Sequence, residues 1–152
     1  MGMDRGGFFP TWDEDNIDAP DLIDVLSDLD FEGWSPEKPH YRKKPESELQ
    51  NFLRKGVETD ELGREILMDH EFSAHRSHVV ERFRYMLENN ITKKVDLPTH
   101  MQTEKFNQKP LPAHWKKKPT MTVTSLPDDY VHYRKPRTFS VREWARLQTF
   151  PD

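Results

Sequence analysis

The closing sixteen residues, "RTFSVREWARLQTFPD" (137–152), constrain this chain more tightly than any other stretch. Ser140 and Glu143 have the S-x-x-E spacing of a capping box. The hydroxyl can accept from the Glu143 N–H while the carboxylate reaches back to the Ser140 N–H. Pro151 cannot continue a helix, and it biases Phe150 away from the α region. The spacing predicts a short helix over 140–148. Val141, Trp144, Ala145 and Gln148 fall on one face of it, docked through Trp144 and Leu147, and Arg142 and Arg146 form a basic stripe on another. Local chemistry alone asks for no more than a surface helix.

The rest of the chain reads as short elements joined by extended links. Twelve prolines against six glycines favour such links over tight left-handed turns. Leu22, Ile23, Val25, Leu26 and Leu29 predict a helix over 20–28 opened by Pro20, followed by a proline-rich link through "SPEKPHYRKKP". Ser47, Leu49, Phe52 and Leu53 predict a second helix over 45–55 that stops near Gly56. The segment 57–68 can pair as a short strand or helix around Ile66, Leu67 and Met68. A third helix over 73–90, "SAHRSHVVERFRYMLENN", carries the stripe Val79, Val80, Phe83, Met86 and Leu87, with Arg76, Arg82 and Arg84 away from its centre and Asn89-Asn90 as its end. Residues 91–119 read as mostly irregular. "TMTVTS" (120–125) alternates like a half-buried strand, and "DDYVHYRKPR" is its expected return strand. The expected class is a small α+β fold, with a few short strands and helices at 20–28, 45–55, 74–89 and 140–148.

Charge is distributed unevenly. Residues 1–35 hold ten carboxylates against Arg5 alone, and the remainder is net positive. Phosphate repels the first stretch, which reads as an acidic scaffold or docking segment. From Lys105 to Pro127 there is no acidic residue, and Lys116, Lys117 and Lys118 follow His114-Trp115. A charge run is commonly a solvated face; beside an aromatic and a Thr/Ser run it also suits a surface that tracks phosphates. No apolar run is long enough to cross a bilayer and no signal pattern opens the chain, so a cytoplasmic location is expected.

Few groups can do chemistry here. The chain has no cysteine, which excludes disulfides, thiolate metal sites and any thiol nucleophile within it. His70, His75 and His78 in "HEFSAHRSH" lack the H-E-x-x-H spacing, and no metal is expected on them. "RGGFF" lacks the G-x-G-x-x-G spacing of a phosphate loop. No nucleophile, base and electrophile hole come together, so the chain does not read as a complete catalyst.

The stretch "PRTFSVREWARLQTFPD" resembles the ninth conserved motif of the DNA cytosine-5 methyltransferases, close to R-x-L-T-x-R-E-x-A-R-L-Q-x-F-P-D, with Phe139 at the Leu position and Ser140 at the Thr position. "KPTMTVTSLPDDYVHYRKP" resembles the K-P-S-x-T-(I/V)-T run and return strand that precede it. "ESELQNFLR", "MDHEFSAHRSHVVERF" and "LIDVLSDLD" are similar to further stretches of bacterial members, in family order from after the eighth motif through the ninth.

The resemblance implies a piece of an S-adenosylmethionine-dependent enzyme, in which a cysteine of a Pro-Cys motif attacks carbon 6 of a flipped cytosine and carbon 5 is methylated. This chain has no Pro-Cys, no F-x-G-x-G cofactor motif, no Glu-Asn-Val and no motif after Asp152, so the resemblance implies an internal, catalytically inactive piece. Residues 1–35 would follow the catalytic core, 36–136 would be the target-recognition region, and 137–152 the hinge helix. The structural residues implied are Arg137, Ser140, Arg142, Glu143 and Arg146, with Glu143 capping and Arg142 and Arg146 in buried or interdomain hydrogen bonds. Thr122 matches a threonine that contacts the DNA backbone near the flipped nucleotide, and Thr124 and Ser125 extend that contact. Lys116, Lys117, Lys118 and Arg134 are phosphate candidates, Trp115 or His114 reaches a groove, and base readout falls between about Ile91 and Lys118. The implied partners are double-stranded DNA and the catalytic domain. Without that domain the Trp144 face would be exposed, favouring self-association. Two other readings remain: the recognition subunit of a split methyltransferase, and a non-enzymatic DNA-binding module.

Overall fold

The computed structural model of the protein describes residues 20–111 and 127–152. It is a small α+β arrangement of four α-helices, several single 3-10 turns and one two-stranded parallel sheet among those residues. The helices are α1 (Leu22–Leu26), α2 (Glu48–Leu53), α3 (Ser77–Glu88) and α4 (Val141–Leu147). The strands β1 (Lys109–Pro110) and β2 (Tyr130–Val131) pair in register Lys109 to Tyr130 and Pro110 to Val131.

Two apolar clusters organise the chain. The larger joins Leu22, Val25, Leu26 and Leu29 of the first helical stretch to Leu53, Leu67, Leu111, Tyr130, Phe139 and Trp144. Residues far apart in sequence thus share one core. The smaller gathers Phe83 and Met86 of α3 with Leu97, Phe106 and Val131. Val131 and Tyr130, consecutive on β2, point to opposite clusters, as the two-residue period of a strand dictates. The short sheet therefore works as the partition between the two.

Polar side chains sew the short helices together. Ser47 caps α2 by accepting from the Gln50 N–H at 3.1 Å and donates to the Asp24 carbonyl at 2.6 Å. Buried Gln50 donates to Ser27 Oγ at 2.9 Å and to the Ile23 carbonyl at 3.2 Å, while its own carbonyl accepts from the Glu46 N–H. Helices of five and six residues are too short to persist alone; this cross-bonding and the shared core hold them.

Several expectations are corrected. The third helix starts at Ser77 rather than 73, because Ser73 and His75 are drawn away to Asp128 and Thr138. It ends at Asn89-Asn90 in a left-handed turn, Asn90 φ 52°, with Ile91 N–H on the Met86 carbonyl at 2.8 Å. Of the two alternatives for segment 57–68 the pairing one holds: a tight turn at Gly63 with bridges Thr59–Glu65 and His40–Ile66. The predicted strand 120–125 lies outside the described residues. Its expected return strand extends only over Tyr130–Val131 and pairs parallel with Lys109–Pro110, because the 3-10 turn Pro127–Asp129 precedes it and the His132 ring then folds back on its own chain. On α4, Val141 is 60% exposed and Gln148 is also exposed, so the buried face is turned toward Glu143, Trp144 and Arg146. Trp144 is itself buried, stacked on Tyr130 at 5.5 Å and against Phe139 at 5.6 Å, and offers no sticky face. The exposed apolar side chains near this end are Phe52, Met68, Val141 and Phe150.

Candidate functional site

Helix α4 is set by its first turn. Ser140 Oγ accepts from the Glu143 N–H at 3.1 Å, and Glu143 Oε2 accepts from the Ser140 N–H at 2.9 Å. Both residues are buried, so more than capping is involved. Ser140 Oγ also lies 2.9 Å from His70 Nδ1, whose Nε2 is 3.3 Å from the Leu29 carbonyl. The network assigns the roles: the hydroxyl donates to Nδ1, and Nε2–H donates to Leu29. Burial lowers the His70 pKa to about 4, consistent with a neutral ring.

The Glu143 carboxylate is held from several sides. Arg137 donates to both of its oxygens, at 2.7 and 2.8 Å, and stacks over the Phe72 ring at 3.9 Å. Burial alone would raise this carboxyl, but the Arg137 pair outweighs it and holds it at about 2. His132 lies on the other side, Nε2 3.6 Å from Glu143 Oε1, too far for a hydrogen bond. Its Nδ1 accepts from the Arg134 and Lys135 N–H groups, both at 3.1 Å, and burial lowers it to about 4.

Arg146 is the centre of a second network and is 1% exposed. It donates to Asp28 at 2.5 and 3.1 Å, to Asp152 at 2.5 and 2.9 Å, to the Val25 carbonyl at 2.9 Å and to Tyr41 at 3.3 Å. Burial would lower its pKa, but Asp152 and Asp28 raise it further above the ordinary value. Tyr41 also donates to Asp152, and burial raises its phenol pKa. Arg54 stacks on the Tyr41 ring at 3.6 Å and binds Asp28 at 3.1 Å and Glu65. Arg142, half-buried, donates to the carbonyls of Met68 and Pro151.

The Phe-Pro-Asp turn delivers Asp152 to this network. Thr149 takes a left-handed φ of 61°, its N–H on the Arg146 carbonyl at 2.9 Å and the Phe150 N–H on the Ala145 carbonyl at 3.1 Å. That is the Schellman pattern, with a β-branched residue where glycine is usual. Asp152 N–H then bonds the Leu53 carbonyl at 2.9 Å. Beside it, Gly56, Val57, Glu58, Ile66, Met68, Arg142 and Asp152 line a pocket of about 380 Å³.

The nucleic-acid candidates are located differently. Lys116, Lys117, Lys118, Thr122, Thr124 and Ser125, with His114 and Trp115, lie outside the described residues. Arg134 is exposed, 3.7 Å from Asp30 and over the Tyr133 ring at 5.4 Å. The three histidines separate: His70 joins Ser140, His75 bonds Thr138 at 3.0 Å and His78 faces solvent. Among the described residues no three metal-ligating side chains converge, and no helix is long and apolar enough to cross a membrane.

Sequence reasoning missed Asp28, Tyr41, Arg54 and His132. Asp28 had a readable signal, an acid set between the apolar residues Leu26 and Leu29 of the first helical stretch. Tyr41 lies in the proline-rich link, Arg54 at the end of the second predicted helix and His132 in the expected return strand, where nothing local distinguishes a buried polar side chain from a solvated one.

Residues 23–152 match the family model for C-5 cytosine-specific DNA methylases. The chain belongs to that family, whose members are enzymes that methylate DNA. No curated protein and no solved structure matches it significantly. The family generally uses S-adenosylmethionine. The glycines among the described residues, Gly33, Gly56 and Gly63, stand in separate turns with positive φ, and none follows a strand to open a helix.

Proposed function

We propose that this chain is the DNA-recognition part of a DNA cytosine-5 methyltransferase, and that methyl transfer from S-adenosylmethionine belongs to the full-length enzyme. One observation carries the reading: a chain matched to this family over residues 23–152 contains no cysteine, and so holds no thiol to attack carbon 6 of cytosine. In this reading residues 1–35 lead out of the catalytic core, 36–136 form the recognition region, and 137–152 are the hinge to the catalytic domain. The buried network around Arg146 supports the hinge role, because it makes α4 a rigid post. Lys116, Lys117, Lys118 and Arg134 bind phosphates, and Thr122, Thr124 and Ser125 contact the backbone near the target base.

Two assays on the 152-residue chain test this. Labelled S-adenosylmethionine and duplex DNA give no incorporation; methyl transfer by this chain alone refutes the assignment. Duplex DNA binds with a steep salt dependence, and replacing Lys116, Lys117 and Lys118 by Ala lowers the slope by about two to three units. An unchanged affinity and slope refute the phosphate role of the lysines.

A further inference from the structure

Three arginines are buried among the described residues: Arg54, Arg82 and Arg146. Arg54 meets Asp28 and Glu65, and Arg146 meets Asp28 and Asp152. Arg82, on α3 and 6% exposed, meets no carboxylate and no carbonyl among the described residues. Its Nε is buried with no acceptor, and its guanidinium carbon stands 4.4 Å from the centre of the Phe106 ring. A guanidinium cannot lose its proton to escape burial, as a lysine or histidine does. A ring face offsets only part of the lost hydration, and a buried cation without an anion is the arrangement proteins avoid.

Charges of both signs are adjacent in sequence, Glu81 before Arg82 and Glu104 before Lys105. Lys105 and Lys109, both exposed, flank Phe106 in sequence, Lys109 with its Nζ 5.7 Å from the Tyr130 ring, and the absence of acids runs from Lys105 to Pro127. Phe106 is pinned in the smaller core cluster beside Phe83, its neighbour at 6.1 Å, and the guanidinium lies against this fixed ring. A guanidinium carries paired N–H groups at the spacing that two phosphate oxygens accept.

We infer that Arg82, backed by Phe106, is an anion subsite that takes a phosphodiester of the DNA backbone. The source of the phosphate rests on the DNA-recognition reading above; the subsite itself rests on the unpaired guanidinium.

Two measurements on the full 152-residue chain separate those levels. The first is a titration with inorganic phosphate, followed by the Nε–Hε NMR resonance of Arg82, which is assigned by its loss in Arg82→Met. A saturable shift of that resonance, larger than those of Arg54 and Arg146, is expected. No shift overturns the subsite whether or not the chain binds DNA, and the test needs no variant beyond the assignment. The second is the salt dependence of duplex DNA binding by the wild type, Arg82→Met and Arg82→Lys. Met, which keeps the apolar stem, is expected to lower the slope by about one unit, and Lys to retain it. An unchanged slope in Arg82→Met overturns the DNA assignment. If phosphate shifts Arg82 but the wild-type chain binds no duplex, the DNA-recognition reading fails and the DNA assignment with it, while the anion subsite stands.

Discussion

Arg146 and Asp28, 118 residues apart in sequence, form a two-pronged ion pair at 2.5 and 3.1 Å that is closed to solvent on both sides. It ties α4 to the 3-10 turn after α1. Asp28 also accepts from Arg54, and Arg146 also donates to Asp152, so one chain of charges runs through the larger core.

Removing one partner strands the other in the interior. Arg146→Met should destabilise the chain by about 3–5 kcal/mol, since Asp28 and Asp152 both lose their main cation. Arg146→Lys should recover only part of this, because an ammonium cannot bond both carboxylates, Tyr41 and the Val25 carbonyl together. Urea unfolding measures both. A loss under about 1 kcal/mol for Arg146→Met shows that the pair is dispensable.

Ser140 serves as cap and as donor to His70. Ser140→Ala should cost about 1–2 kcal/mol from the cap and more from the stranded Nδ1 of His70. Ser140→Thr keeps the hydroxyl and should recover most of it. Thermal unfolding by circular dichroism distinguishes them; equal midpoints for Ala and Thr argue against the dual role.

Acid should loosen this region before it affects the carboxylates. His70 and His132 titrate near 4 when folded because burial disfavours their charge, against 6.5 for the ordinary side chain. Between those values the unfolded chain binds more protons. Stability is therefore fully present above about pH 6.5 and falls as the pH drops toward 4, with a slope of up to about 1.4 kcal/mol per unit from each histidine. Glu143, held at about 2 by Arg137 against its burial, adds a further loss below about 4.5. Urea midpoints between pH 7 and pH 5 check the sign, and a flat profile contradicts it.

Thr149 occupies a left-handed position that its branched Cβ disfavours. Thr149→Asn should stabilise the chain by about 1 kcal/mol and so raise the thermal midpoint, because asparagine tolerates this region better. A lowered midpoint instead shows that the threonine side chain makes contacts worth more than the strain.

How much of this was legible beforehand follows from the range of each interaction. The S-x-x-E box, the Pro151 stop, the Ser47 cap and the apolar runs at 22–29 and 79–87 act within four residues, so the linear string encodes them directly. The family likeness was legible for the same reason, since its motifs are contiguous. The pairing of Arg146 was not: Asp28 and Tyr41 lie more than a hundred residues away, and although the apolar run around Asp28 hints at its burial, nothing local names its partner. The missing acid beside Arg82 was equally invisible, because a stripe analysis puts that arginine on the solvated side of α3. Only the closure of the chain over Phe106 turned it inward. Local hydrogen bonding and periodicity determined which elements form. Tertiary packing decided which charges are buried and what each one faces, because burial belongs to the assembled surface and to no single residue.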